Sequence, residues 1–271
     1  MRSAWWLLAA SLPLFAGCAK DSDGDGISDK EEATLDDDGD GLNNMEEEDL
    51  GTDPDNADSD GDGYPDGLEV ENDKDPLDAE SGLYAGGWPY NADKDDMETT
   101  TLADAANAEG EIFPRVEFVD QYGETVDLYD FAGHGKPVMI DVSAIWCGPC
   151  NNLASWLSGG ADPVGWEDYY PEVREWVENG DVYWVTILFE DGQQNETDVE
   201  DLEYWFDQYP DENVPVVNDP GKEIAGAFAQ WFPYMILLND DMTIWSTPGS
   251  NDNAFTTPMQ VLVDEYEPEA E

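Results

Sequence analysis

Short runs of apolar residues recur along the second half of the chain, and polar stretches separate them. From about Glu109 to Tyr266 these runs are rich in Val, Ile, Leu and Phe. Apolar runs of this length are typical of buried β-strands. They predict strands at Val116–Val119, Val138–Val142, Val182–Phe189, Met235–Leu238 and a shorter one at Met242–Trp245.

Amphipathic segments lie between and after these runs, and their apolar positions follow the helical period. They predict helices at Asn151–Leu157, Tyr170–Glu178, Val199–Tyr209, Glu223–Trp231 and Pro258–Glu265. Strands that alternate with helices along the chain indicate an α/β fold. We therefore predict one α/β domain over residues 109–267.

Two cysteines, Cys147 and Cys150, lie three residues apart between the second predicted strand and the first predicted helix. The N–H groups and the dipole at a helix start stabilise a thiolate, so Cys147 is expected to be the nucleophile and Cys150 the resolving thiol. A zinc site needs four ligands, and this region offers no further Cys and only His134. A peroxidatic Thr-x-x-Cys arrangement is not met, because Ala144 stands at the Thr position.

Five segments resemble thioredoxin-like extracytoplasmic reductases of the TlpA type, which are related to the redoxin superfamily. They are Phe118–Leu128, Gly135–Asp141, Trp146–Cys150, Asp219–Ala225 and Phe232–Leu238. The resemblance implies a thioredoxin fold, a central mixed sheet flanked by helices, here with insertions. The departures are a missing Glu-x-Pro after the thiols, an added loop at 158–170 and Phe232 before the proline.

The same resemblance implies roles for three further residues. Asp141 would be a buried acid that takes the proton from Cys150, although a water-exposed carboxylate at the strand end is the alternative. Pro233 would be cis beside the thiols and would offer its neighbouring backbone to a substrate peptide. Trp146 would shield the disulfide and contact substrates, with packing in the core as the alternative.

The N-terminus has the layout of a secretory signal, with Arg2 followed by an apolar stretch from Ala4 to Ala16. This stretch is too short to span a bilayer. Leu14–Cys18 resembles a bacterial lipobox, with Phe15 where an aliphatic residue is commoner. We expect a signal peptide at 1–17, a lipid on Cys18 and a place in the bacterial cell envelope, at the periplasmic face of the outer membrane or the cell surface. A plain signal peptide cut nearby is the alternative.

Acidic residues dominate the chain, which has 66 Asp and Glu against nine Lys and Arg and a formal charge of -57. Such a charge disfavours nucleic acid and anionic lipid head groups as partners and favours cations. Residues 18–80 hold 26 of the acids and almost no large apolar side chains, so no ordinary core can form there.

The acids of residues 18–80 recur in three 12-residue loops, each with acids at alternate positions, Gly sixth and Glu twelfth, as in calcium-binding loops. The predicted ligands are Asp21, Asp23, Asp25, Asp29 and Glu32 in the first loop, Asp36, Asp38, Asp40, Asn44 and Glu47 in the second, and Asp58, Asp60, Asp62, Asp66 and Glu69 in the third. Only Ala33, Thr34 and Leu35 separate the first two loops, so paired EF-hands are excluded.

The loops and the Gly-Thr-Asp-Pro stretch at 51–54 give residues 21–78 a resemblance to bacterial thrombospondin type 3 repeats. That resemblance implies a stiff spacer with about three structural calcium ions. A disordered acidic stalk that binds calcium loosely is the alternative. Residues 81–108 are predicted to be a linker, although Trp88 is costly to expose in a tether.

Two functions follow from these observations. The leading hypothesis is an exported, lipid-anchored thiol:disulfide oxidoreductase that acts on disulfides of extracytoplasmic proteins and needs no organic cofactor. The alternative is a calcium-binding surface or structural lipoprotein with an inert thioredoxin-like module. The sequence names neither the electron donor nor the direction of electron flow.

Overall fold

The computed structural model describes residues 34–79, 81–248 and 256–268 and divides the chain into two compact units, Met1–Leu83 and Tyr84–Glu271. The expected signal peptide, the lipidation site Cys18 and the first calcium loop, Asp21–Glu32, lie outside the described residues. Within the described ranges no helix is both long and apolar enough to cross a membrane.

The described part of the first unit, from residue 34 onward, contains acidic loops and two short helices, α1 (Asn44–Leu50) and α2 (Asp66–Glu71). Asn43 caps α1, because its side chain accepts hydrogen bonds from the N–H groups of Met45 and Glu46. Gly51 ends the same helix with a positive φ of 97°. Among the described residues of this unit, the buried large apolar side chains are Leu42 and Tyr64, as expected for a segment without an ordinary core.

The second unit is built on a five-stranded mixed sheet with the strand order β5-β4-β3-β6-β7. Strands β3, β4 and β5 are parallel, whereas β6 runs antiparallel to β3 and β7 antiparallel to β6. A separate antiparallel hairpin, β1–β2, precedes the sheet. The strands are β1 (Glu117–Val119), β2 (Thr125–Asp127), β3 (Val138–Ala144), β4 (Tyr183–Glu190), β5 (Val216–Asn218), β6 (Tyr234–Leu238) and β7 (Ile244–Ser246).

Helices cover both faces of this sheet and form two hydrophobic clusters. Every residue of β3 is buried, and its side chains alternate between the clusters, with Ile140 and Val142 in one and Met139 in the other. The helices are α3 (Gly148–Leu157), α4 (Pro171–Glu178), α5 (Val199–Gln208), α6 (Glu223–Phe228) and α7 (Thr257–Glu265). This is a thioredoxin fold with insertions, so the predicted fold class is confirmed.

Strand β5 was missed by the sequence analysis, because its apolar run is only Val216 and Val217. Hydrogen bonds from residues distant in sequence stabilise this short strand. The side chain of Gln121 accepts a hydrogen bond from the Val216 N–H, and that of Asn218 accepts one from the Val119 N–H. These contacts also join the β1–β2 hairpin to the edge of the sheet.

Residues 84–108, which we call the strap, belong to the second unit, so the predicted linker over 81–108 is wrong for this part. Trp88 is only 3% exposed, lies in the larger hydrophobic cluster and donates its indole N–H to Asp120 at 2.8 Å. Tyr84 donates its hydroxyl to Asp130, and Asn107 donates to the Tyr234 hydroxyl. The strap is ordered because the free energy gained by burying Trp88 exceeds the conformational entropy that this polar segment loses.

Candidate functional site

The two cysteines form a disulfide at the junction of β3 and α3, with their Cα atoms 5.2 Å apart. Cys147 is the N-cap of α3, and its Sγ accepts a hydrogen bond from the Cys150 N–H at 3.3 Å. The pair is well covered, since Cys147 is 3% exposed and Cys150 is fully buried. A thiolate on Cys147 would therefore meet a helix N-terminus directly, whereas Cys150 lies inside the first turn.

Asp141 is buried in the middle of β3, with 1% of its surface exposed, as the family resemblance implies. Burial raises the pKa of its carboxyl to about 7, and the Ser143 hydroxyl, which donates to it at 2.8 Å, opposes that rise. Its cross-strand neighbours are Thr186 on β4 and Met235 on β6, which carry no charge. The water-exposed alternative for this residue is excluded.

Pro233 immediately precedes β6, and the Phe232–Pro233 peptide bond is cis, as predicted. Tyr234 pairs with Val142, so Pro233 lies at the edge of the sheet where β3 ends and Cys147 follows. Two segments that are far apart in sequence, the cysteine loop and the cis-proline loop, thus meet at one edge of the sheet.

Trp146 extends towards solvent with 44% of its surface exposed, so the alternative of a core-packing tryptophan is excluded. Its ring meets Phe232 edge-on with centroids 6.2 Å apart, and Phe232 stacks on Phe189 at 4.2 Å. These three aromatic rings, which we call the aromatic rim, lie beside the cysteine loop, because Trp146 directly precedes Cys147.

Three polar residues of this region were missed in the sequence analysis. Glu190 accepts a hydrogen bond from the Trp146 indole and forms an ion pair with Lys222, each at 2.8 Å. Asn151 donates to the carbonyls of Ile145 and Cys147 and accepts from the Tyr209 hydroxyl. Glu190 had a usable signal, because it ends β4 and the carboxyl ends of parallel strands share an edge.

His134 lies outside the site. It precedes β3, at the opposite end of that strand from Cys147, and its Nε2 contacts the carbonyl of Asp130 at 2.9 Å. Its ring meets Tyr183 edge-on. His134 is therefore a loop residue of the second unit.

In the first unit, the second and third acidic loops have the same backbone geometry. Asp36 accepts hydrogen bonds from the N–H groups of Gly39 and Gly41, and Asp58 accepts from Gly61 and Gly63 in the same way. The sixth-position glycines, Gly41 and Gly63, have φ values of 103° and 99°, which explains the residue type. The carboxylates at positions one, three and five converge within 4.8 Å in both loops, namely Asp36, Asp38 and Asp40, and Asp58, Asp60 and Asp62.

The twelfth-position residues, Glu47 and Glu69, are fully buried. All four of their carboxylate oxygens accept no hydrogen bond from any described residue. Burial, reinforced by neighbouring carboxylates, raises the pKa of Glu47 to about 7 and that of Glu69 to about 8. Buried carboxylates without donors are costly unless a cation neutralises them, so these loops have the donor set of a cation site.

Asp66, a predicted ligand of the third loop, also lies close to the second loop. Its carboxylate lies within 4.8 Å of those of Asp40 and Glu47, which belong to the second loop. It also accepts hydrogen bonds from the N–H and the hydroxyl of Ser59. Asn44, a predicted ligand of the second loop, donates its amide to Asp37 at 2.6 Å and keeps a buried Oδ1 without a donor among the described residues.

The two units are similar to different kinds of known protein. Residues 21–35, 36–57 and 58–79 match the bacterial TSP3 repeat. This confirms the repeats that the loop spacing predicted, including the one outside the described residues. No curated protein matches the chain.

Several solved structures are similar to the second half of this chain or to most of it. They include a thioredoxin-like protein from Bacteroides caccae (14% identity, TM-score 0.44, 61% of this chain) and a putative protein disulfide isomerase from Bacteroides thetaiotaomicron (19%, 0.42, 59%). A third is the exposed lipoprotein thioredoxin of Streptococcus pneumoniae (22%, 0.38, 55%). The chain spans 52% of the first protein, about half its length, and 91% and 98% of the other two.

Proposed function

We propose that this protein is an exported, lipid-anchored thiol:disulfide oxidoreductase that acts on disulfides of extracytoplasmic proteins. The observation that carries the proposal is the Cys147–Cys150 disulfide at the start of α3, at the sheet edge that also holds the cis-Pro233. The fold supports the enzyme class, and the lipobox-like Leu14–Cys18 supports the anchor.

In the reductive direction the reaction begins with both cysteines as thiols. The Cys147 thiolate attacks a substrate disulfide, forms a mixed disulfide and releases one substrate thiolate. Cys150 then gives its proton to Asp141 and attacks the Cys147 sulfur, which releases the second substrate thiolate. Two electrons pass to the substrate, and the protein is left with the disulfide seen in the structure. An exported dithiol donor would reduce it again.

Each step has a physical basis in the site. The helix start and the Cys150 N–H stabilise negative charge on the Cys147 sulfur. Asp141, with a pKa of about 7, can accept a proton near neutral pH because its buried anion is poorly solvated. The backbone beside Pro233 would pair with an extended substrate peptide, and the aromatic rim would contact its side chains.

We propose calcium as the structural ion of the TSP3 repeats. Asp36, Asp38, Asp40 and Glu47 would hold an ion in the second repeat, and Asp58, Asp60, Asp62 and Glu69 in the third. The donor-free oxygens of Glu47 and Glu69 support this assignment. Calcium prefers carboxylate and carbonyl oxygens. The repeats would form a calcium-bound segment between the lipid on Cys18 and the redox unit.

Substitution of the two cysteines tests the oxidoreductase directly. Cys147→Ser should abolish the reduction of insulin disulfides by the full-length protein, and Cys150→Ser should trap a mixed disulfide that is visible by non-reducing electrophoresis. Ser158→Ala, at the far end of α3, serves as the matched control and should retain activity. Equal insulin reduction by the wild type and the Cys147→Ser/Cys150→Ser protein would refute the proposal.

The second candidate is a calcium-binding lipoprotein whose thioredoxin-like unit does not turn over. The 3% exposure of Cys147 favours it, because attack on a disulfide needs access to the sulfur. Titration of the reduced protein with iodoacetamide separates the two. An active unit should show one thiol that reacts well below the ordinary cysteine pKa of about 8.5, and an inert unit should show none.

A further inference from the structure

The Trp146 indole is held through a chain of two polar contacts. Its Nε1 donates to one oxygen of Glu190 at 2.8 Å, and Lys222 donates to the other oxygen at the same distance. The backbone of Glu190 also accepts the Ile145 N–H, next to Trp146, at 3.0 Å. Glu190 therefore accepts three hydrogen bonds, from Trp146, Lys222 and Ile145, and lies next to the residue that precedes Cys147.

Lys222 reaches this position from a different part of the chain. It lies between β5 and α6, has a left-handed backbone with φ of 57°, and donates a second hydrogen bond to the Gln194 carbonyl at 2.9 Å. Lys222, which follows β5, thus connects the Glu190 carboxylate with Gln194 in the segment after β4.

Lys222 supplies the positive charge that pairs with this carboxylate. Glu190 is mostly buried, and the chain around it is strongly acidic. Without Lys222 the second oxygen of Glu190 would turn to water, and the Glu190 side chain would gain access to rotamers in which it no longer accepts the Trp146 indole N–H. With Lys222 in place, the carboxylate is neutralised and its second oxygen stays directed at Trp146.

We propose that Lys222 is a positioning residue that acts through Glu190 to hold the Trp146 indole against Phe232 and so to form the apolar surface that a substrate peptide meets beside Cys147. This inference rests on the proposed oxidoreductase function. It assigns to Lys222 an effect on substrate affinity and none on the chemistry of the sulfurs. A peptide with an apolar residue next to its cysteine is the substrate class that such a surface fits.

The test is a double-mutant cycle in the full-length protein, with insulin as the substrate probe. Lys222→Met and Glu190→Ala should each raise KM about two- to fivefold, the range of one partly exposed ion pair, with kcat unchanged. The double variant should resemble Glu190→Ala alone, since both changes act through one contact. Lys222→Arg, which keeps the charge and the donors, should restore KM to within about twofold of wild type.

Lys136→Met is the matched control, because Lys136 lies before β3, over the Tyr183 ring and at the far end of the strand from Cys147. It should leave KM and kcat unchanged. Additive effects of Lys222→Met and Glu190→Ala would overturn the proposal, since Lys222 would then act through the Gln194 carbonyl. An equal fall in kcat and kcat/KM would overturn it as well.

Fluorine NMR of protein labelled with 5-fluorotryptophan gives a reading that does not depend on turnover. The Trp146 resonance, identified by its loss in Trp146→Phe, should shift and narrow in Lys222→Met and Glu190→Ala but not in Lys136→Met. An unmoved resonance would refute the positioning role. If the wild type reduces no disulfide, the proposed function fails, and this resonance still decides whether Lys222 positions Trp146.

Discussion

Replacing Asp141 by Asn should stabilise the second unit, and by an amount that depends on pH. Burial raises the pKa of this carboxyl from 3.8 to about 7. At about 1.4 kcal/mol per tenfold change in proton affinity, that rise corresponds to about 4 kcal/mol. The folded state holds the proton more tightly than the unfolded state, so Asp141 costs nothing below about pH 4. Its full cost is reached above about pH 7.

The amide of the Asp141→Asn variant would carry no charge at any pH and would keep an oxygen that accepts the Ser143 hydrogen bond. We therefore expect the free energy of unfolding of Asp141→Asn to exceed that of the oxidised wild type by about 2 to 4 kcal/mol at pH 8. The two proteins should be nearly equal at pH 4. Mutation of a buried residue usually lowers the free energy of unfolding. Asp141→Asn should raise it instead, because the substitution removes a poorly solvated charge.

Urea unfolding of the oxidised protein, followed by tryptophan fluorescence, measures this difference. Every tryptophan from Trp88 onward lies in the second unit, and residues 21–79 contain none, so the signal does not report unfolding of the TSP3 repeats. Glu203→Gln, an exposed carboxylate on α5, is the control and should show the same stability as wild type at both pH values. A gain for Asp141→Asn that is equal at pH 4 and pH 8, or absent at both, would show that Asp141 does not carry a buried charge.

Three further predictions concern other parts of the molecule. Asp141→Asn should slow resolution of the mixed disulfide at pH 7 by about 100-fold or more, as quenched-flow trapping of the Cys147 adduct would show; an unchanged rate would mean that water takes the proton instead. Trp88→Ala should lower the free energy of unfolding of the second unit by about 3 to 5 kcal/mol in urea, because it empties a core site; a loss below about 1 kcal/mol would contradict the packed strap. Calcium added to unbuffered protein at pH 7 should release protons from Glu47 and Glu69, whose metal-free pKa values are about 7 and 8, and this acidification should disappear in the Glu47→Gln/Glu69→Gln protein.

The long strands and the cysteine junction were predictable from sequence, because their signals are local. Apolar runs at 138–142 and 182–189 are long enough to indicate buried strands, and the observed β3 and β4 differ from them only at the ends. The acidic loops of the TSP3 repeats were predictable for the same reason, since the carboxylates of one loop all lie within twelve residues. Both kinds of signal need only the order of residues along one short segment.

Features that depend on distant contacts were not predictable in this way. The Glu190–Lys222 pair joins positions 32 residues apart, and neither residue stands out from the surrounding polar sequence. The polar composition of the strap predicts a linker. The strap is nevertheless part of the domain, because the Trp88 indole is buried and donates a hydrogen bond to Asp120. The proximity of Asp66 to Asp40 and Glu47 is a contact of the same kind, because the spacing within one loop does not show which residues of a neighbouring repeat lie beside it.

The position of Asp66 has a consequence for how the repeats respond to calcium. A calcium ion bound as proposed by Asp40 and Glu47 would lie beside Asp66 of the next repeat, so filling the second loop would help to order the third. The repeats would then load cooperatively, with a binding curve steeper than that of independent loops. Loss of Asp66 would remove this link between the second and third loops, and each of the two would then fill independently of the other.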